Sequence, residues 1–324
     1  MKIAIIGAGI SGLIAEGAFA KDPDNEITIF DHKKTSHALS GHKAVMRLRN
    51  DKIKNFIDCK LRKIAVYKAV YHEGKIYDKP NILLNNLYSL KAYGSLGERS
   101  LLSLGRVERY LIESFNKQST VTKAEVKRID KRLDRKGALV LSGDNFQFPE
   151  NFFDYDICIS TMPMPLLLRA IDEPYNVEFK YIPIYVNTAL LKIKSDVHQT
   201  LYFTDRDKAV PYRITIEGDQ IIAESIESMN ETKFNECLRG FGLSMKQVDS
   251  LTLTEHKQKM GKLSPIDDDV RRKIMMDLTD KYNTYSFGRF ATWRSLRIDQ
   301  TLEDIEKIKM FIRIKSKGYY SDHV

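Results

Sequence analysis

Apolar and polar positions alternate from the first residues in a way that names the elements. Lys2 to Ile6 is a short β-branched run of the kind buried on both faces of a parallel sheet. It breaks at Gly7, after which Leu13, Ile14, Ala15, Ala18 and Phe19 recur at helical spacing. Glu26 to Phe30 predicts a second strand ending on Asp31, followed by a loop from Lys33 to Lys43. Ala44 to Arg49 is placed to bring the chain back across the same face. Ile64 to Tyr71, Glu73-Gly74 and Lys75 to Tyr77 read as a hairpin with a glycine turn. Asn85 to Gly97 reads as turn-rich and Arg106 to Phe115 as a helix. Glu125 to Ile129, Gly137 to Ser142 and Tyr155 to Ser160 read as three successive strands, and Pro163 and Pro165 separate the last from a short helix, Leu166 to Ala170.

From Phe179 the texture turns β-rich. Ile182–Lys194, Leu201–Thr204, Tyr212–Glu217 and Gln220–Glu227 read as strands, with Glu217-Gly218-Asp219 as the last turn, and Phe234 to Leu243 reads as a helix. This block predicts an antiparallel sheet with attached helices, inserted between two parts of a nucleotide-binding domain. No repeat or low-complexity linker interrupts it, and the tail after Lys315 reads as loose.

Composition changes the picture little. The 324 residues suit one large or two ordinary domains, and 43% apolar residues with a mean hydropathy of −0.36 suit a soluble chain with a real core. No apolar run reaches the roughly 18 residues of a membrane span, and the N-terminal apolar stretch is too broken for a secretory signal. Cys59, Cys158 and Cys237 are isolated, which predicts a reducing, cytoplasmic setting, with Cys158 as core packing. A net charge of +9 describes lysine-rich solvated faces or attraction to an anionic, nucleotide-like substrate. Direct nucleic-acid binding has no motif to support it. His32, His37 and His42 recur every fifth residue, which matches no common metal-ligand spacing.

The chemistry lies at the two ends. Gly7-Ala8-Gly9-Ile10-Ser11-Gly12 follows the first strand and opens the first helix. In such a segment the first glycine permits the tight turn, and the second admits a pyrophosphate to the backbone. The third lets helix and strand pack closely, while the helix N-terminus faces the phosphates. Asp31 stands where an acid accepts hydrogen bonds from an adenosine ribose, which favours FAD or NAD over NADP. Near the C-terminus stands Gly288-Arg289-Phe-Ala-Thr-Trp293, with Asp299-Gln300-Thr301 capping a helix. Arg289 offers a fork of donors suited to phosphate, and Trp293 offers a flat apolar surface.

Together these ends resemble the FAD-binding superfamily of amine oxidases, protoporphyrinogen oxidase and UDP-galactopyranose mutase, and the C-terminal motif looks most like the mutase branch. The resemblance implies that Gly288, Arg289 and Trp293 belong to the FAD site with Arg289 on the diphosphate, and that the helix opened by Asp299, Gln300 and Thr301 points at the flavin pyrimidine edge. Glu125-Val126-Lys127 is similar to the strand whose backbone holds the adenine, with His32 beside the acid. Ser160-Thr161-Met-Pro163 resembles the strand-end loop beside the diphosphate. The resemblance implies an α/β fold: a Rossmann-like domain of parallel sheet and β-meander built from both chain ends, with an inserted antiparallel-sheet α+β substrate domain. The expected division is 1–50, 100–170 and 284–324 for the cofactor domain, and 51–99 and 171–283 for the substrate domain. With no cysteine beyond Cys237, it implies a non-covalent flavin.

The expected activity is that of an FAD-dependent oxidoreductase transferring hydride from a small molecule or nucleotide-type substrate. A redox-neutral mutase and a non-catalytic escort protein of the same fold are the alternatives, and a simple NAD dehydrogenase leaves Arg289 and Trp293 without a job. His42, Arg47, Tyr185, Arg213 and Lys262 are the candidate pocket residues. His42 could shuttle a proton, Arg47 or Arg213 could hold a carboxylate or phosphate, and Lys262 falls where amine oxidases carry a lysine near the flavin.

Overall fold

The computed structural model describes residues 1–32, 46–96, 102–116, 119–131, 137–142, 151–171 and 174–316. The chain opens with strand β1 (Lys2–Ile6), helix α1 (Ile10–Phe19) and strand β2 (Glu26–Asp31), then β3 (Arg47–Leu48). A long hairpin follows, β4 (Cys59–His72) and β5 (Lys75–Tyr77), then α2 (Ile82–Tyr93), β6 (Gly105–Phe115) and β7 (Val121–Lys123). A meander of β8 (Glu125–Lys131), β9 (Gly137–Ser142) and β10 (Asn151–Tyr155) leads into β11 (Ile157–Ser160) and α3 (Met164–Ala170). The second half runs β12 (Tyr181–Leu191), β13 (His198–Phe203), β14 (Arg213–Glu217), β15 (Gln220–Ser225), α4 (Glu231–Leu238), β16 (Val248–Leu263) and α5 (Asp268–Tyr282). Strand β17 (Thr284–Ser286) and helix α6 (Ile298–Ser316) finish the described chain.

These strands form three sheets. The first is parallel, in the order β17-β11-β1-β2-β7, so the chain's last strand lies one place from its first. Helices α1 and α6 cover one of its faces through Leu13, Ile14, Phe19, Leu302 and Ile305. The antiparallel meander, α3 and α5 cover the other, around Met164, Leu167, Ile274 and Leu278. The third sheet has nine strands, β16-β12-β15-β14-β13-β4-β6-β3 with β5 on β4, and it is antiparallel except where β13 runs parallel to β4. Helix α4 packs on one face of it and α2 on the other.

Three sequence expectations need correction. Residues 106–115 form strand β6, paired with β4 from Cys59 to Lys68, because sheet pairing overrides the helical spacing of their apolar side chains. They therefore belong to the large sheet. The stretch read as turn-rich is mostly helix α2: Asn81 caps it, accepting from Leu84 N–H at 3.1 Å, and Leu84, Tyr88 and Ala92 bury one face. Residues 248–282, for which no element was expected, hold β16 and α5. Asp267 accepts from the Asp269 and Val270 N–H groups at 3.0 Å, and Arg271, Ile274, Leu278 and Tyr282 follow at helical spacing. All three cysteines are free and buried, and no helix among the described residues is long and apolar enough to cross a membrane.

Candidate functional site

The turn between β1 and α1 is built for a close visitor. Gly7 takes a φ of 99° and donates its N–H to Phe30 O at 2.7 Å. A Cβ on Gly7 would overlap Thr161 Oγ1, which donates to Ile6 O at 2.7 Å, so the β11 loop closes over the turn. A Cβ on Gly12 would overlap Gly7 O, so helix α1 rests directly on the loop. Gly9 is different: as the α1 N-cap it has no side-chain cap, and no described residue lies within 4 Å of where its Cβ would be. No described residue therefore crowds the side-chain position of the residue that opens the helix. That cradle fits a pyrophosphate on the stereochemistry of this chain alone. Asp31 accepts from Ala8 N–H at 2.7 Å and meets His32 Nδ1 at 2.9 Å, so it braces the loop from the end of β2. Ala124 N–H donates to Asp31 O at 2.9 Å, which brings the start of β8, and with it Val126, to the same strand end.

The C-terminal motif meets this loop. Phe287 N–H donates to Ser160 O at 2.8 Å, and a Cβ on Gly288, whose φ is 85°, would lie within 2.8 Å of Ser11 Cβ. Gly288 thus touches the first turn of α1. Arg289 Nη2 donates to Gly261 O at 2.8 Å, tying β16 to the motif. Trp293 is only 1% exposed; its indole N–H donates to Ser264 O at 2.9 Å and its ring packs edge-on against Phe179. The flat surface expected of Trp293 is therefore spent in the core, and the side chain locks the inserted sheet to the motif. Asp299 sits in the first turn of α6, and its carboxylate accepts from Arg49 N–H at 3.4 Å. Gln300 Oε1 accepts from Arg297 N–H at 3.1 Å, and Thr301 Oγ1 donates to Arg297 O at 3.1 Å, so both shape the helix start.

A cavity of about 340 Å³ opens where the α6 N-terminus meets the large sheet. Its walls carry Arg47, Arg49, Lys68, Arg109, Arg213 and Arg297, with Glu224 and Asp299 as the acids. Two of the cations are committed. Arg47, expected as a substrate clamp, donates to Glu217 Oε2 at 2.6 Å, Thr200 Oγ1 at 2.9 Å and Ile216 O at 3.1 Å. Glu217 in turn contacts buried His198, so this guanidinium is a wall of the cavity. Arg213 is paired with Glu224, which also accepts from Tyr212 OH at 3.2 Å. Burial alone would lower Arg213 and raise Glu224. Their mutual attraction outweighs it, holding the guanidinium well above and the carboxyl below their ordinary values.

The other cations stand apart from these pairs. Among the described residues Arg49, Lys68, Arg109 and Arg297 have no ion-pair partner, and the Asp299 carboxylate accepts from the backbone N–H of Arg49. Burial pushes the Lys68 ammonium down to about 8, helped by the guanidiniums of Arg109, Arg47, Arg213 and Arg49. Arg109 is lowered by burial and then by Arg49. Burial thus works against the charged forms of Lys68 and Arg109, a cost that an incoming anion offsets.

The remaining expectations separate. His42 lies outside the described residues, as does the tail from residue 317. Lys262 stands beyond Tyr212, its ammonium 4.3 Å from the Tyr93 ring and 4.5 Å from the Tyr212 ring. Tyr185 lies on the opposite face of the sheet: Val186 is the residue paired with Glu224, and Lys257 stacks on the Tyr185 ring at 5.1 Å. Arg49, Lys68, Arg109 and Arg297 were missed by sequence reasoning. Only the basic alternation of Arg47 and Arg49 pointed to them locally.

No protein-family model matches the chain, and no curated protein matches it. Solved structures do. A reduced UDP-galactopyranose mutase is similar over 96% of this chain and 94% of its own, with 16% identity and a TM-score of 0.64. A fatty acid isomerase from P. acnes that produces CLA covers 94% and 98% at 11% identity and a TM-score of 0.57. A candidate FAD-containing monooxygenase from Photorhabdus luminescens subsp. laumondii covers 98% and 89% at 10% identity and a TM-score of 0.52. The parallel sheet with its meander and inserted large sheet is thus the α/β fold of these solved structures, one of which is described as FAD-containing, shared along nearly the whole chain.

Proposed function

We propose that this protein is an FAD-dependent oxidoreductase with a non-covalent flavin, acting on a small anionic substrate bound in the cavity beside α6. The observation that carries the reading is the conjunction of two sites: an open cradle at Gly9 and the uncompensated cations of the neighbouring cavity. Gly7, Gly9 and Ser11 with the α1 N-terminus would hold the diphosphate of FAD, and Asp31 the adenosine ribose. When bound, FAD supplies the acceptor for a hydride taken from a substrate carbon.

The chain's own residues do the rest. The cations draw in and orient the anionic end of the substrate, and Glu217 and Glu224 keep Arg47 and Arg213 fixed so that the cavity wall is rigid before binding. The test is anaerobic bleaching of the purified, FAD-loaded protein by a panel of carboxylated and phosphorylated metabolites and their neutral analogues. Bleaching by anionic members, lost with 0.5 M salt, is the expected result. Bleaching by neutral analogues at equal rates would overturn the reading, and turnover of a sugar nucleotide only after dithionite reduction would move it to the redox-neutral alternative.

A further inference from the structure

We propose that the cavity selects a small polyanion, a molecule with at least two anionic groups, and that Lys68 clamps one of them. The inference rests on reading the cavity as the substrate site and adds the charge class of what fills it. Arg47 is neutralised by Glu217 and Arg213 by Glu224, which leaves Arg49, Lys68, Arg109 and Arg297 facing the single carboxylate of Asp299. Among the described residues the excess is three positive charges around a space of about 340 Å³, with Lys68 and Arg109 half-buried and Arg49 and Arg297 exposed. One carboxylate would leave two of them unanswered, and the half-buried Lys68 and Arg109 have the least water to stand in for a counter-charge. Two or more anionic groups answer them, and the modest volume limits the molecule to a small one.

Lys68 is singled out by its place in the sheet. It pairs with Thr200 on β13, whose hydroxyl is already engaged by Arg47, and with Gly105 on β6, which has no side chain to fill the space beside it. The groups facing it come from every neighbouring element: Arg47 and Arg49 from β3 and its end, Arg109 from β6, Tyr202 from β13, Arg213 and Glu224 from β14 and β15, and Arg297 and Asp299 from α6. A bound polyanion reverses the field that these guanidiniums impose. Lys68, held near 8 in the free protein, then takes up a proton as the ligand binds.

The experiment is calorimetric titration of the FAD-saturated protein, so that the Gly9 cradle is filled, with pyrophosphate and citrate against phosphate and acetate. The polyanions should bind at least about tenfold more tightly than the monomeric anions, the difference one charge-assisted contact makes. At pH 8, in buffers of different ionisation enthalpy, binding should show proton uptake. Lys68→Met should lose about tenfold in polyanion affinity and all of that uptake, whereas Lys68→Arg should keep the affinity and lose the uptake. The melting temperature of Lys68→Met should be unchanged or higher, since the substitution removes a charge without a partner. Equal binding of mono- and polyanions, or an unaltered Lys68→Met, overturns the proposal. Lys68-dependent binding seen only in FAD-free protein would assign the cations to the cofactor and also overturn it. An FAD-loaded protein that binds no anion of either kind refutes the anionic-substrate reading itself.

Discussion

Gly9 and Gly12 are three positions apart, one the N-cap of α1 and the other in its first turn, yet the structure assigns them different work, and alanine at each separates cradle from fold. At Gly9 a methyl group meets none of the described residues within 4 Å, and its φ of −75° suits any residue. Alanine is the poorer helix cap by about 0.5–1 kcal/mol, but it restricts the unfolded chain by a similar 0.4–1 kcal/mol. Stability should therefore stay within about 0.5 kcal/mol of the parent. The methyl would stand in the phosphate's space, and losing one charge-assisted N–H contact of about 1.5–3 kcal/mol weakens FAD about 10- to 150-fold. At Gly12 the methyl overlaps Gly7 O and comes within 3.0 Å of the Gly7 carbonyl carbon. Alanine's gain of about 1 kcal/mol in helix propensity is outweighed by overpacking of about 1–3 kcal/mol or more, because the obstacle is backbone. Urea unfolding of the FAD-free proteins and fluorescence titration with FAD measure the two quantities. Gly9→Ala binding FAD with parental affinity would refute the cradle, and a Gly12→Ala protein of undiminished stability would refute the packing.

Other expectations follow from single contacts. Glu224→Gln leaves Arg213 with a neutral partner in place of a carboxylate; because Arg213 is 37% exposed, the cost should be about 1–2 kcal/mol, below the 3–5 kcal/mol of a fully buried pair. Adding Arg213→Met should recover part of it, and a double-mutant cycle on urea midpoints with no coupling would refute the pairing. Asp31→Ala removes the acceptor for Ala8 N–H as well as the expected ribose contact, so FAD affinity should fall at least about tenfold, with Asp31→Asn intermediate by titration. Lys91 donates to the Asp205 and Asp207 carbonyls, and burial holds it near 8, against about 10.4 when unfolded. Between those values the unfolded chain binds the extra proton, so this group makes stability rise with pH from about 8 to about 10.4. Urea midpoints across that window should climb less steeply in Lys91→Met, and an identical slope would exclude the effect.

What could be read from the sequence is what neighbours along the chain determine. Strand β1, the three glycines and Asp31 lie within one βαβ unit, so local periodicity and turn chemistry suffice for them. The Gly288 motif was legible as a motif, but its contact with Ser11 joins residues from opposite ends of the chain. Strand β6 was misread because Val107, Leu111 and Phe115 have helical spacing, and only its ladder with β4 decides otherwise. Helix α2 was hidden by its asparagines, of which Asn81 is a cap and Asn85 accepts from Leu102 N–H. The Asp267 cap and the spacing from Arg271 to Tyr282 were a readable signal for α5. Of the cavity's cations only Arg47 and Arg213 were legible: Lys68, Arg109 and Arg297 join them through sheet register and the α6 start across more than half the chain.

Titration of the flavin-free protein with FAD, FMN and NAD, followed by flavin fluorescence and calorimetry, tests the central claim most directly. The account predicts one FAD per chain, released intact on denaturation, with FMN and NAD bound at least about tenfold more weakly because only FAD joins a diphosphate at Gly9 to a flavin. Failure to bind FAD, or NAD binding as tightly as FAD, would contradict it.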